Sequence, residues 1–205
     1  MKNEYVNRFT SIPVLLDMIK RKRLVLMDPE LWEDKNDSEL MLEYKKRRKV
    51  ENLYALCFSR DGETIHHWNA YAGTVLGCCI EFDYALLTAT FDKINGVRYD
   101  DVEYKKINDL NSNSIITRNI PFTKRQPYEC EKEFRVIWEG RTRQWCYEVK
   151  IDLRMLGKIT MGPRMPDNVF RTLSKQVKSL LARPDLSIKH STIYENARWI
   201  NKFKS

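Results

Sequence analysis

The chain predicts an α+β fold, a single globular domain over residues 1–205 with a mostly antiparallel mixed sheet flanked by helices. Three observations lead there. Helices come early and late in the chain: apolar residues recur at helical spacing around Val14–Ile19 and 166–181, and a charged helix is expected over 37–52. The middle is made of short apolar and aromatic runs with strand-like alternation. Helices at the two ends around an antiparallel middle fit α+β better than a doubly wound parallel sheet, and no glycine-rich fingerprint such as GxGxxG or GxxxxGK[ST] offers an alternative nucleotide cradle. With 205 residues, 42% of them hydrophobic, the chain can bury one sizeable core.

Tyr5–Thr10 reads as a short strand, after which Ser11 can cap a helix carrying Val14, Leu15, Met18 and Ile19. Leu24–Met27 is a second strand, stopped by Asp28-Pro29. Asp37 can cap a charged helix through Asn52, and Leu53–Ser59 then reads as a buried strand. Thr64–Ala72 is helical, with Trp68 and Tyr71 three apart on one face, a spacing that usually marks core. Strands follow at Cys78–Asp83 and Val97–Tyr104, then a polar loop at 108–119. Phe134–Trp138 and Trp145–Leu153 flank the turn-like EGRTRQ and suggest an antiparallel hairpin. Ile159–Gly162 is another strand, Pro166-Asp167 open a helix that stops before Pro184, and SIKHSTIY is a last strand before a basic aromatic tail.

The net charge of +8 favours an acidic partner: an anionic ligand, a nucleotide or a nucleic acid. Its runs are KRKR at 20–23 and KKRRK at 45–49, with Lys105, Lys106, Lys124, Arg125, Arg141 and Arg143 beyond. Any one run is also what a solvated helix end looks like. The five cysteines (57, 78, 79, 130 and 146) show no CxxC spacing, and two of the three histidines, His66 and His67, are adjacent, so no metal site is expected. Free thiols, the absence of a bilayer-length apolar run and an N-terminus without a secretory core together predict a cytoplasmic protein that does not enter membranes.

The stretch Lys124–Trp138 carries the candidate chemistry. In an extended chain Glu131, Glu133 and Arg135 share one face, while Cys130, Phe134, Val136 and Trp138 share the other. Arg135 can hold one carboxylate ionised while the other accepts a proton or a hydroxyl. The same pattern also fits a solvated sheet face with ion pairs of small value.

Several segments together resemble a bacterial and phage family, the domain of unknown function 2971. They are Arg8-Phe9-Thr10-Ser11, Cys57-Phe58-Ser59, Trp68-x-x-Tyr71-Ala72 with Cys79-Ile80-Glu81-Phe82-Asp83 behind it, and Lys124 followed by Tyr128, Glu131, Glu133 and Arg135. The chain departs from the family's pattern in LWEDKND at 31–37, Tyr128 and Cys130. More remotely, Arg8, Ser59 and Glu131-Lys132-Glu133 are similar in order to the pattern of ADP-ribosyltransferases. That resemblance implies an ADP-ribosyltransferase-like fold and an NAD-dependent transferase or NAD glycohydrolase, with family company implying a toxin or antiphage role. It gives Glu133, Glu131 and Ser59 catalytic roles. Arg8, Thr10, Ser59, Trp68 and Tyr71 would line the NAD site, with Arg135 and Lys124 supporting the carboxylates. The alternative is a nucleic-acid-binding protein, non-enzymatic or nucleolytic, built on cations interleaved with aromatics such as Trp145, Trp199 and Phe203.

Overall fold

In the computed structural model, residues 4–110, 116–141 and 145–204 are described. Part of the polar loop (111–115) and of the expected hairpin turn, with Arg143 (142–144), lie outside the described residues. Strand β1 (Tyr5–Ser11) enters α1 (Ile12–Arg21), where Pro13 occupies the first turn, the place at which a missing N–H costs least. Ser11 stands at the capping position, but its side chain makes no capping bond. After β2 (Arg23–Leu26) comes α2 (Lys35–Arg48). Its cap is Asp34, whose carboxylate accepts from the Asn36 amide at 3.0 Å, rather than Asp37; the helix stops at Lys49, in the left-handed region at φ 53°, short of the expected Asn52.

Next come β3 (Asn52–Ser59), α3 (Ile65–Tyr71) capped by Thr64, β4 (Gly77–Asp83) and α4 (Tyr84–Phe91). Helix α4 escapes the sequence pattern because YALLTATF is apolar on most sides and shows no helical stripe. The strand expected over 97–104 is two, β5 (Val97–Asp101) and β6 (Glu103–Lys105). The chain continues through β7 (Thr123–Arg125), β8 (Glu133–Gly140), β9 (Tyr147–Lys150), β10 (Leu156–Met161), α5 (Asp167–Leu181), β11 (Ser187–His190) and α6 (Ala197–Asn201). The α+β class with mainly antiparallel strands is what the structure has.

Contacts gather the chain into two compact units, one of Met1–Lys22, Asp61–Asp83 and Asp152–Ser205, the other of Arg23–Arg60 and Tyr84–Ile151. In the first, β4 lies between β1 and β10, antiparallel to both, and β11 joins β10 in parallel. Leu15, Met18 and Ile19 of α1, Val177 of α5, and Ile80, Phe82, Ile159 and Met161 of the strands are among its buried apolar side chains.

In the second unit β8 lies between β3 and β5, antiparallel to both, and β9 pairs with β2. The hairpin expected between the Phe134 and Trp145 segments is therefore not formed: each strand takes a partner distant in sequence. Register sets the faces. Ser59, Cys57, Ala55 and Leu53 stand opposite Glu133, Arg135, Ile137 and Glu139, and this is the face α2 covers through Met41 and Tyr44, with Ile120 and Phe122 completing the cluster. The opposite face pairs Phe58 with Phe134 and stacks Tyr54, Trp138 and Tyr147, the last two rings 4.1 Å apart. Strand β8 is thus covered on both sides up to Trp138, and its charged face is not the half-exposed one that alternation suggested. Among the described residues no helix is long and apolar enough to cross a membrane.

Candidate functional site

Five ionisable side chains of the second unit meet under α2. The short 3-10 helix Gln126–Glu131 ends at Lys132, which adopts φ 43°, and the strand starts only at Glu133. Glu131 is therefore not a strand residue as alternation implied. The left-handed turn at Lys132 nevertheless brings its carboxylate to the same ammonium that Glu133 reaches. The turn is fixed from outside by the Arg60 amide, which donates to the Lys132 carbonyl at 2.8 Å.

Arg135 is the hub and is completely buried. Its guanidinium donates to both oxygens of Asp37 (Nη1 to Oδ1 2.9 Å, Nη2 to Oδ2 2.6 Å) and to both oxygens of Glu133 (Nε to Oε1 2.5 Å, Nη2 to Oε2 2.9 Å). Nη1 also reaches the Pro121 carbonyl at 2.9 Å, and Trp32 covers the cation with its ring centroid 5.0 Å away. This two-carboxylate fork is what a planar guanidinium can supply and an ammonium cannot. The buried Lys124 closes the cluster, with Nζ 2.7 Å from Glu131 Oε2, 3.4 Å from Asp37 Oδ2 and 3.5 Å from Glu133 Oε2. Two cations thus face three carboxylates.

Burial alone would raise the Glu133 carboxyl pKa, but the attraction of Arg135 and Lys124 outweighs it, and the value falls from the ordinary 4.5 to about 2. Lys124 is displaced the other way: burial pushes it down, and the charges of Glu133, Asp37 and Glu131 more than reverse that, lifting it above its usual range. Glu133 is consequently a fixed carboxylate near neutral pH. It can stabilise positive charge and accept a hydrogen bond, and it is a poor proton acceptor.

Ser59, at the end of β3, faces Glu133 in register, and its hydroxyl donates to the Glu131 carbonyl at 2.8 Å. The Tyr104 hydroxyl lies 2.9 Å from the Glu133 amide, which donates to it. Tyr128 lies at the rim, its ring 4.7 Å from the Lys124 ammonium. Ser59, Glu131, Glu133, Lys124 and Arg135, all named from sequence, are brought together. Asp37 is the member that sequence reasoning misread as a helix cap. Its signal was there: 37, 41 and 44 repeat at helical spacing, so Asp37 continues the buried stripe of Met41 and Tyr44.

The remaining sequence candidates belong to the first unit. Arg8 is half-buried on β1 opposite Ile80, and Thr10 is buried opposite Cys78. Trp68 is buried on α3, edge-on to Phe9 at 5.4 Å, with its indole N–H donating to Glu63 at 3.1 Å. Tyr71 is 47% exposed and does not share that burial, because the helix turns it outward beside His66. The expected aromatic core face is therefore one core tryptophan and one surface tyrosine. Among the described residues no group of three His, Cys, Asp or Glu side chains could hold a metal ion. The three carboxylates under α2 converge instead on Lys124, whose ammonium sits where a bound cation would.

No protein-family model matches the chain, and no curated protein does, so the family likeness noted in the sequence rests on its motifs alone. Among solved structures, DarT of Thermus sp. 2.9 in complex with ADP-ribosylated ssDNA is similar to this chain at a TM-score of 0.48 and 8% identity, covering 93% of this chain and 95% of that one. The same protein in complex with NAD+ gives a TM-score of 0.45 and 7% identity, with 93% and 96% covered.

Proposed function

We propose that the protein is an NAD-dependent ADP-ribosyltransferase-like enzyme with its carboxylate chemistry in the cluster under α2. The observation that carries this reading is the meeting of Ser59, Glu131 and Glu133 in one buried, hydrogen-bonded group, with Glu133 held as an anion. Breaking the bond between nicotinamide and ribose sends the bonding pair to nicotinamide and leaves positive charge on the sugar. A fixed carboxylate suits that charge, because it is paid for in folding and needs no reorganisation during reaction. In this role Glu133 Oε2 accepts a ribose hydroxyl in place of its longest contact, Lys124 at 3.5 Å. Ser59 orients the ribose, and Glu131 takes the proton of the attacking acceptor, or of water in a glycohydrolase reaction. Arg8 and Thr10 keep their proposed part in binding the cofactor, Arg8 as a cation for its phosphates.

The test is nicotinamide release and calorimetric binding with NAD+, the ligand that the Thermus protein carries, on wild type, Glu133→Gln and Arg8→Ala. Glu133→Gln is expected to cut turnover by about 10²–10³ while the protein stays folded, and Arg8→Ala to weaken NAD+ binding. A wild-type protein that binds no NAD+ at millimolar concentration, or a Glu133→Gln variant with full turnover, would end the proposal. Expression that arrests growth with wild type and not with Glu133→Gln would extend it to a toxin or antiphage role.

A further inference from the structure

A second charged site lies at the other end of α2. The helix runs along β8, with Asp37 on Arg135 and, further along, Tyr44 on Glu139, so its last turn reaches the point where β8 leaves the sheet. There a cleft of about 510 Å³ is lined by Arg48 and Lys49 from the helix end, Arg98 from β5, and Glu139, Gly140 and Arg141 from the end of β8. Four cations meet one carboxylate. Cations at the end of a helix ordinarily answer its dipole, and for the KKRRK run alone that would suffice. Arg98 and Arg141 come from other elements, and the dipole does not account for them.

The cleft is also built. Glu139 sits between two guanidiniums, 3.3 Å from Arg98 and 3.6 Å from Arg48, and accepts from Tyr44 as well. Arg98 is held further by the Tyr44 oxygen at 2.7 Å, the Arg118 carbonyl at 2.7 Å and the ring of Phe122. Its floor is free of side chains by necessity: Gly96 has φ +84°, and a Cβ at Gly140 would strike the Trp138 ring at 1.8 Å. Preorganised guanidiniums beside open backbone suit phosphate oxygens. Only Val50 and Val97 among the lining residues are apolar, which leaves nothing to insert into lipid. Four residues beyond Arg141 stands Trp145, 95% exposed, an indole face with the geometry for stacking a base.

We infer that this cleft binds the phosphate backbone of a single-stranded nucleic acid, with Trp145, four residues along the chain from Arg141, as a stacking surface. The inference is independent of the transferase reading, because it is tested without NAD+. Fluorescence anisotropy of a labelled single-stranded oligonucleotide of mixed sequence, between about 50 and 200 mM salt, compares wild type with the double variant Arg48→Glu, Arg141→Glu. Arg141 is exposed, whereas Arg48→Glu sets a second carboxylate beside Glu139 and should lower the melting midpoint, so affinities are compared at a temperature where melts show both proteins folded. Affinity is expected to fall at least about tenfold, and the slope of log affinity against log salt to flatten by about 1.4, the share of two single-strand phosphate contacts. Trp145→Ala should weaken binding at least about fivefold with the slope intact. Unchanged affinity and slope in the double variant overturn the site. Tighter binding of a duplex, or a silent Trp145→Ala, overturns the single-strand assignment, and binding to phosphatidylserine vesicles in place of the oligonucleotide overturns the nucleic-acid one.

Discussion

At the scale of the residue, Arg135 is the cation on which the cluster turns. It satisfies four carboxylate contacts and the Pro121 carbonyl with no access to water. Arg135→Ala leaves Asp37 and Glu133 buried and facing each other with Lys124 alone to offset them, and should cost about 3–5 kcal/mol in denaturant unfolding. Glu133→Gln keeps the shape and should cost less; Arg135→Lys should rescue only part, since an ammonium cannot replace the fork. Equal midpoints for Arg135→Ala and wild type would mean that the ion pairs contribute nothing to the fold. Acid gives a second test. The Glu133 pKa of about 2 lies below its ordinary 4.5, so the folded form prefers the carboxylate. That stability is fully present above about pH 4.5 and is lost as pH falls toward 2. Urea midpoints of wild type should drop across that window, and those of Glu133→Gln should drop less. The sequence disclosed these residues because Glu-x-Glu-x-Arg is a local pattern. It could not disclose that the face is buried, since burial comes from α2 and the segment 117–122, which are distant in the chain.

At the scale of the element, the turn at Lys132 decides where the two glutamates go. A left-handed conformation costs an L-residue about 1–2 kcal/mol, and here it separates the 3-10 helix from β8 in a single step. The Lys132 ammonium makes one exposed contact, with Glu129 at 3.4 Å, worth little. Lys132→Gly should therefore leave stability unchanged or raise it by up to about 1 kcal/mol in thermal melts, and Lys132→Val should lower it by at least about 1 kcal/mol. A Gly variant less stable than wild type would show that the lysine side chain matters more than the backbone. Strand and helix positions were largely legible, because β1, α1, β3, β4 and α5 each carry a regular apolar period. Pairing was not. A short polar turn between the Phe134 and Trp145 segments predicted a hairpin, but β8 has two covered faces and two sequence-distant partners, and local turn chemistry carries no information about either.

At the scale of the whole molecule, the chain passes between its two units at Lys22–Arg23, Arg60–Asp61, Asp83–Tyr84 and Ile151–Asp152. None of these points is a Gly-, Pro- or Ser-rich linker, and at Asp83–Tyr84 a strand runs directly into a helix. Composition therefore gave no sign of a division. The order of these segments bears on synthesis. Every part of the second unit lies before residue 152, whereas the first unit owns the earliest strand and also the last two. On the ribosome the second unit has all its strands in hand first. Once outside the exit tunnel, β4 has its β1 partner already made on one edge and must wait for β10 on the other, several seconds at about 5–20 residues per second. Until then that apolar edge is open to any neighbouring nascent chain. The unit that holds β1 is thus completed only after the other has been made, and its exposure during translation is set by the number of residues between β4 and β10.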